Sequence, residues 1–207
     1  MSLPLVLLGF LQSQNYPDFQ VLHLDSPQSS PLFLHTMSEQ DRFMAIIDSN
    51  LDVQWHVSSS HMGLDFKVNQ NYLSYYNKLE GSWILANQVM KEIDTLRCEG
   101  TVVADYHDIQ ILENGNYILQ AYDSIFVDMS TIVDGGQSVT WIKGILVIQM
   151  FDINDELISE WNAWDHLDIS QYTNLNLESN AIAWMHGNSI EWDGNNQILV
   201  SNRASNE

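Results

Sequence analysis

Two histidines occupy the same place in two copies of a short sequence pattern, and they are the side chains of this chain best suited to chemistry. His107 and His186 each precede an isoleucine by four residues and a glycine by eight, and an Ile-Leu pair follows in both copies. Imidazole has an unperturbed pKa of about 6.5, so such a pair can donate and accept protons near neutral pH. The alternative interpretation is that each histidine caps a strand and bonds a neighbouring backbone carbonyl.

Short strands joined by polar turns are predicted to carry these histidines. Apolar residues alternate or come in short runs rich in β-branched and aromatic types, separated by Asn, Asp and Gly, and helix signals are scarce. The pattern predicts an all-β fold of antiparallel hairpins. The predicted hairpins pair residues 43–47 with 53–55, 63–68 with 72–76, 82–86 with 89–93, 109–112 with 117–122, 145–151 with 157–161, and 189–192 with 197–201.

The spacing of the repeat favours a β-propeller built of meander blades. The two histidines are 79 residues apart, which we interpret as two blades of roughly 40 to 50 residues each. A weaker echo links the Asp-x-Asn runs at 48–50 and 152–154, which are 104 residues apart and also suit two blades. Equivalent positions in different blades converge at one end of the central channel, so His107 and His186 are expected to share an axial site. Residues 15–207 supply about four or five blades of the four to eight that a propeller needs, and we expect an incomplete propeller, truncated at its C-terminus.

Composition argues against several classes of partner. The 207 residues include 27 acids and 7 Lys or Arg, for a formal net charge of −20. Nucleic acids and anionic membranes attract basic surfaces, so neither is expected as a main partner of so acidic a protein. The single cysteine, Cys98, excludes an internal disulfide framework and a cysteine-rich zinc module. Hydrophobic residues make up 45% of the chain, enough for a core, and no apolar run reaches the roughly 18 residues of a membrane span.

The first 14 residues contain the most apolar run of the sequence. Leu3 to Leu11 has the length of the apolar centre of a secretory signal peptide, but no Lys or Arg precedes it, and residues 12–14 make a poor cleavage site. Residues 1–14 are therefore either a signal-peptide remnant or an edge strand. Together with the acid-rich, lysine-poor composition, they favour a secreted, periplasmic or cell-surface location.

The sequence around the two histidine hairpins resembles the arylsulfotransferase family, the bacterial aryl-sulfate sulfotransferases that use no nucleotide sulfate donor. The most specific feature is a His-Gly-Asn-Ser-Ile run followed by a strand that ends in arginine, and the resemblance covers roughly residues 40 to 203. The matching stretches are 105–110 with 114–116, 184–190 with 198–203, 147–152 and 160–166.

This resemblance implies a six-bladed propeller with its site at the end of the channel. It also implies transfer of a sulfuryl group from a phenolic sulfate donor to a phenol acceptor by a ping-pong route with a histidine nucleophile. His107, His186, Asn188 and Arg203 match supporting residues of the family site. The nucleophilic histidine lies in a later blade of the family, and we find no matching position in this sequence. The reaction needs no metal, nucleotide or other cofactor.

The residue types suit such a reaction. Arg203 offers a planar fork of donors to sulfate oxygens, and Asn188 adds an amide donor. An imidazole that protonates a leaving phenolate, or takes the proton of an acceptor phenol, accelerates transfer by about 10²- to 10⁴-fold. Tyr106 or Trp184, each close in sequence to a site histidine, is a candidate to stack on an aromatic substrate, and the alternative for these rings is packing within the blades. The alternative for Arg203 is a surface salt bridge with one of the many acids.

Two other functions fit the same residues. The first is a β-propeller that binds or scaffolds without catalysis, and the second is a metal-assisted hydrolase built on His107, His186 and Asp165. The run Asp165-His166-x-Asp168 contains ligand types that suit divalent ions, but the sequence shows no partner cluster for it. The residues at 152–156 resemble the start of a calcium loop without its glycine and distal Glu, and we interpret them as a turn.

Overall fold

The computed structural model of this protein describes residues 16, 18–22, 30–37, 42–195 and 197–203. Residues 1–14, predicted as a signal-peptide remnant or an edge strand, lie outside the described residues. The chain divides into two compact units, Met1–Thr95 and Leu96–Glu207. None of the helices in the described ranges has the length and apolar character needed to cross a membrane.

The prediction of an all-β fold is confirmed. Within the described residues the strands form several antiparallel sheets, and the one α-helix, α1, spans only Ala163–His166. The strands are β1 Leu32–Met37, β2 Arg42–Ile47, β3 Val53–Ser58, β4 Met62–Asn69, β5 Tyr72–Asn77, β6 Ser82–Ala86, β7 Glu92–Leu96, β8 Val103–Ile111, β9 Tyr117–Val127, β10 Thr140–Phe151, β11 Leu157–Asn162, β12 Ala181–Ala183, β13 Gly187–Trp192 and β14 Ile198–Asn202.

The first unit contains two antiparallel meanders, β1-β2-β3 and β4-β5-β6-β7. Side chains from both sheets, among them Met44, Phe66 and Tyr75, form one buried apolar cluster, which is the expected core of two sheets packed face to face. The predicted hairpins that joined 43–47 to 53–55 and 63–68 to 72–76 are confirmed by the β2–β3 and β4–β5 pairings.

The third predicted hairpin is shifted in the structure. Its second strand was expected at 89–93, but β7 begins at Glu92. The side chain of Asn87 accepts hydrogen bonds from the backbone N–H groups of Val89 and Lys91, at 3.1 and 3.0 Å, and Met90 has a φ of 60°. Five residues are therefore used by the turn, and the second strand starts later than alternation alone suggested.

The same five-residue turn recurs in both units. Asp48, Asn87, Asp152 and Asp193 each accept hydrogen bonds from the N–H groups two and four residues later, and each donates its own N–H to the carbonyl four residues later. Such side-chain caps replace ladder hydrogen bonds at hairpin ends. The interpretation of residues 152–156 as a turn is confirmed, and the echo between 48–50 and 152–154 is two instances of this motif.

The second unit is built on a sheet with strand order β11-β10-β9-β8, to which the short β12 adds in parallel alongside β10. Three predicted hairpins of this unit are confirmed. The pairing of 109–112 with 117–122 is β8–β9, that of 145–151 with 157–161 is β10–β11, and that of 189–192 with 197–201 is β13–β14. A buried cluster that includes Ile118, Ile148, Trp184 and Ile190 joins this sheet to the final hairpin.

The interpretation of the 79-residue repeat as two blades is wrong. A single sheet, β8 to β11, separates the start of β8 from the start of β13. The interval is long because β9 and β10 span 11 and 12 residues, and because irregular connections follow β9 and β11. The two histidine hairpins therefore open consecutive sheets.

Two side chains of β8 bind the backbone of β13. The carboxylate Oδ2 of Asp108 accepts the N–H of Ile190 at 2.8 Å, and Oε1 of Gln110 accepts the N–H of Trp192 at 2.5 Å. Asp108 and Gln110 are two residues apart, so their side chains lie on the same face of β8. Ile190 and Trp192 are also two residues apart, so their N–H groups point to the same side of β13 and meet these acceptors. These contacts hold the two hairpins, 82 residues apart in sequence, side by side.

Replacing Asp108 by alanine is expected to lower the free energy of unfolding by about 1–3 kcal/mol, because the N–H of Ile190 loses its acceptor in a half-buried place. The measurement is urea denaturation of the full chain followed by tryptophan fluorescence. Glu113→Ala, which removes an exposed acid from the β8–β9 turn, is the matched control and should change the free energy by less than about 0.5 kcal/mol. Equal effects of the two variants would contradict the role of Asp108.

Candidate functional site

The residues around His107 lie where β8 departs from its ladder with β9. Ala104 pairs with Ala121 and Ile109 with Leu119, so the four residues 105–108 of β8 face the single residue Gln120 of β9. Irregularities of this kind bend a strand and redirect its side chains, and they are common beside functional sites. The stretch that contains His107 is therefore held away from regular pairing.

Asp105 anchors His107 from within the protein. Its side chain is only 8% exposed, and its Oδ1 lies 2.6 Å from Nδ1 of His107 and accepts the backbone N–H of His107 at 3.0 Å. Nε2 of Gln120 donates to the same oxygen at 3.2 Å, and Gln120 is completely buried. The imidazole edge that contains Nδ1 is thus occupied by a buried carboxylate.

The backbone holds His186 by three separate contacts. The preceding residues Trp184 and Met185 donate their N–H groups to the carbonyls of Lys143 and Gly144 in β10, at 2.9 and 3.1 Å. The N–H of His186 donates to Oδ1 of the buried Asn202 at 2.8 Å, a residue at the end of β14.

The structure brings the rings of His107 and His186 into contact and the backbone of Arg203 beside His186, and their predicted place in a site at the end of a propeller channel stays a prediction. The centroids of the two imidazole rings are 4.7 Å apart, with an angle of 72° between their planes. The backbone N–H of Arg203 donates to the carbonyl of His186 at 3.0 Å, and the side chain of Arg203 is exposed. Two imidazole rings are therefore in contact, and the charge of Arg203 is close enough to affect the pKa of His186.

Electrostatics favour a neutral His186. Burial lowers the pKa of its imidazole first, and the positive charges of Arg203 and His107 lower the pKa further, against an opposing effect of Asp105. The phenol of Tyr122 lies in the same environment: it donates to the carbonyl of Gly187 at 3.2 Å, and burial is the main cause that raises its pKa. At neutral pH, His186 is therefore a proton acceptor and Tyr122 a hydrogen-bond donor.

Tyr106 and Trp184 have different outcomes as the predicted stacking residues. The ring of Tyr106 is 40% exposed and stacks on His107, with centroids 4.2 Å apart and planes 25° from parallel, so it is accessible beside the site. Trp184 is completely buried and packs edge-to-face against Trp164 and Tyr172. The expectation that Trp184 stacks on a substrate is wrong, because core side chains cover its ring.

Asn188 lies at an irregularity of the second hairpin. In the β13–β14 ladder, Gly187 pairs with Asn202 and Ser189 with Ser201, so Asn188 is the additional residue, and it is half-buried. Its position two residues after His186 is compatible with the predicted substrate contact, which stays a prediction.

The segment 165–168 has local structural roles. The ring of His166 stacks on Trp161, 5.6 Å away and nearly parallel, and the carboxylate of Asp168 accepts hydrogen bonds from the backbone N–H and the hydroxyl of Ser170. Those hydrogen bonds lower the pKa of Asp168. Within the described ranges, no three His, Cys, Asp or Glu side chains form a group able to hold a metal ion, and Asp165 does not join the two histidines.

Cys98 is not a reactive thiol. Burial, and next the negative charge of Glu160, raise the pKa of the Cys98 thiol to about 12. Because the thiolate is the nucleophilic form, the thiol is chemically inert near neutral pH.

An apolar cavity of about 470 Å³ lies between β10, β11 and β14. Its lining includes Ile148, Trp161, Met185 and Asn202. Met185 and Asn202 also position the backbone of His186, so the cavity and the imidazole share part of their structural support.

Several residues of the site were missed by sequence reasoning. Asp105 stands two residues before His107, which places both on one face of an extended strand, and this spacing was the available signal. Gln120 and Tyr122 gave no such signal, because their roles depend on pairing across β8 and β9 and on the approach of Gly187.

Gly187 is required by the packing around Gln120. A Cβ at position 187 would lie 2.6 Å from Oε1 of Gln120 and 3.2 Å from the side chain of Leu146. We expect Gly187→Ala to lower the free energy of unfolding by about 1–3 kcal/mol, as overpacking does in a buried place. The measurement is chemical denaturation of Gly187→Ala, Gln120→Ala and the double variant. A double variant whose loss equals the sum of the single losses would contradict this contact, because removing Gln120 should relieve the clash.

Arg203→Ala is expected to raise the pKa of His186 without restoring it to about 6.5, since burial is the larger cause of the depression. The pKa is measured by NMR titration of the imidazole, with Lys143→Ala as the control that removes another cation of the same unit. Because the pKa of His186 is lowered in the folded protein, its neutral form contributes stability above the unfolded pKa, and this contribution is lost as the pH falls through the folded pKa. An unchanged His186 pKa in Arg203→Ala would place the guanidinium away from the imidazole.

One of three comparisons with known proteins agrees with the resemblance of the two hairpins. The sequence has no significant match among curated proteins. One similar solved structure is a protein of unknown function from Bacteroides caccae, determined at 1.35 Å, with 11% identity and a TM-score of 0.32 over 83% of this chain and 65% of that chain. The chain therefore spans less than two thirds of the length of that protein. The family model for arylsulfotransferase (ASST) matches residues 20–206, and the chain belongs to that family.

Proposed function

We propose that His107, His186 and Arg203 bind the sulfate group of a phenolic ester and assist its transfer to a phenol acceptor. The observation that supports this proposal is the 4.7 Å approach of two imidazoles from separate hairpins, with Arg203 bound to the backbone of His186. Membership of the arylsulfotransferase family makes an aryl sulfate the expected donor.

The chemistry needs a cation and a proton relay. In transfer, the bond between sulfur and the phenolic oxygen of the donor breaks, the phenolate leaves with the electron pair, and a new bond to sulfur forms. Arg203 would balance the charge on the sulfate oxygens. An imidazolium would give its proton to the departing phenolate, and a neutral imidazole would take the proton of the attacking phenol.

The two imidazoles have different environments. The carboxylate of Asp105 lies 2.6 Å from Nδ1 of His107, which leaves Nε2 as the nitrogen that can reach a substrate. His186 is kept neutral by burial, which lowers its pKa, and by Arg203, which suits the acceptance of a proton.

A ping-pong route would add a covalent sulfuryl-histidine between the half-reactions. The family resemblance assigns that histidine to a later blade, and His107 and His186 act as supporting groups in this proposal. The apolar cavity beside Met185 and Asn202 offers a place for the aromatic ring of a donor or acceptor. Tyr106, exposed beside His107, is the candidate to stack on an aromatic substrate.

The strong acidity of the chain does not oppose an anionic ester. Charges on the surface are screened within about 8 Å at physiological ionic strength. The net charge at the site depends on Arg203, the two imidazoles and the buried carboxylate of Asp105. A six-bladed propeller, with residues 15–207 as part of the ring, and a secreted or periplasmic location remain part of this proposal.

The test is the release of nitrophenol from 4-nitrophenyl sulfate in the presence of phenol, measured by absorbance with the full-length protein. We expect release that depends on the phenol, and a loss of at least about 10²-fold in His186→Ala. His61→Ala, which removes an exposed imidazole in the first unit, is the matched control and should keep full activity.

Binding measured in parallel separates this proposal from a binding or scaffold module. Isothermal titration of 4-nitrophenyl sulfate into wild type and Arg203→Ala reports the anion site without turnover. Binding that requires Arg203, with no release of nitrophenol under any acceptor, would contradict transfer and support the non-catalytic module. Release that His186→Ala leaves unchanged would remove His186 from the reaction.

A further inference from the structure

Three hydrogen bonds converge on one oxygen beside the site. Oδ1 of Asp105 faces Nδ1 of His107 at 2.6 Å, the backbone N–H of the same histidine at 3.0 Å, and Nε2 of Gln120 at 3.2 Å. An ionised carboxylate only accepts hydrogen bonds, so the nitrogen that faces it must carry a proton. An oxygen that already accepts two N–H groups favours a proton on the ring nitrogen that faces it.

Gln120 fixes the carboxylate in turn, and Gly187 fixes Gln120. With its Nε2 on Asp105, the amide presents Oε1 toward Gly187, where a Cβ would lie only 2.6 Å away. No described residue donates a hydrogen bond to this buried Oε1. Gly187, which belongs to the second hairpin, leaves the amide of Gln120 one orientation. Through Gln120 and Asp105, the position of His107 on the first hairpin therefore depends on the second hairpin.

The ring of His107 is constrained on three sides. Asp105 occupies the Nδ1 edge, the ring of Tyr106 covers one face at 4.2 Å, and the ring of His186 approaches at 4.7 Å. Nε2 is on the opposite edge from Nδ1. It is the nitrogen left for a substrate, since the carboxylate occupies the other.

We propose that Asp105 is a positioning residue that holds His107 as the tautomer with its proton on Nδ1 and directs Nε2 to the substrate, with Gln120 and Gly187 keeping the carboxylate in place. The use of this tautomer in sulfuryl transfer rests on the proposed function. The tautomer itself is measurable without any substrate. Carboxylates that orient a catalytic imidazole in this way change turnover strongly without touching the reacting atoms.

The experiment is two-bond ¹H–¹⁵N correlation NMR on the labelled full chain at a pH where the imidazole is neutral. We expect His107 of the wild type to show a protonated Nδ1 and an unprotonated Nε2. Asp105→Asn should shift the population to protonated Nε2, because the amide can donate to Nδ1. Gln120→Ala keeps the carboxylate of Asp105 but removes its hydrogen-bond donor, and it should give a mixture of both tautomers. This variant replaces Asp105→Asn in the test if Asp105→Asn does not fold.

The matched control is Asp128→Asn, which changes an exposed carboxylate that caps a short 3₁₀ helix of the same unit. It should leave the His107 tautomer as in the wild type. The rings of Tyr106 and His186 pack against this imidazole, and the charges of Arg203 and Asp105 act on His186, so the comparison is made at several pH values.

Turnover gives the second readout. In the nitrophenyl sulfate assay, Asp105→Asn should lower kcat by about 10²- to 10⁴-fold, with little change in KM, and alter the pH profile. A wild-type His107 that carries its proton on Nε2, or an Asp105→Asn variant with an unchanged tautomer, would overturn the inference whatever the turnover shows. The expected tautomers without any nitrophenol release would leave the positioning role standing and contradict sulfuryl transfer.

Discussion

The side-chain bridge from β8 to β13 is the interaction on which the rest of the site depends. An exposed strand edge carries unpaired N–H groups, and the protein satisfies two of those on β13 with the side chains of Asp108 and Gln110 rather than with another backbone. This junction brings His107 and His186, from the starts of two consecutive sheets, to 4.7 Å between ring centroids.

Both histidines are placed beside interruptions of regular pairing. Beside His107, four residues face one across the ladder, and beside His186 a single additional residue follows Gly187. The freed backbone and side-chain groups are recovered by buried partners, of which Asp105 and Asn202 are the clearest. These buried hydrogen bonds fix one arrangement of the imidazoles. The repeated histidine motif is a local sequence feature, but its chemistry comes from the contact between the copies.

The hairpins and the all-β class could be predicted from the sequence, because alternation and turn residues are local signals, and the repeated motif marked the two histidines whose rings lie in contact. The blade count between the histidines could not, since the long β9 and β10 and the irregular connections lengthen the repeat without adding a sheet. Trp184 was mistaken for a substrate contact because closeness in sequence to His186 says nothing about which side of the backbone is buried. The role of Gln120 depends on a register shift between strands, which a single sequence does not show.

A crystal structure of the protein with bound 4-nitrophenyl sulfate tests the central claim most directly. The account predicts the sulfate oxygens within hydrogen-bond distance of the guanidinium of Arg203 and of at least one imidazole, Nε2 of His107 or a ring nitrogen of His186. It also predicts Nδ1 of His107 still on the carboxylate of Asp105. A sulfate bound away from all three groups, or imidazoles that separate when the ester binds, would contradict a shared anion site.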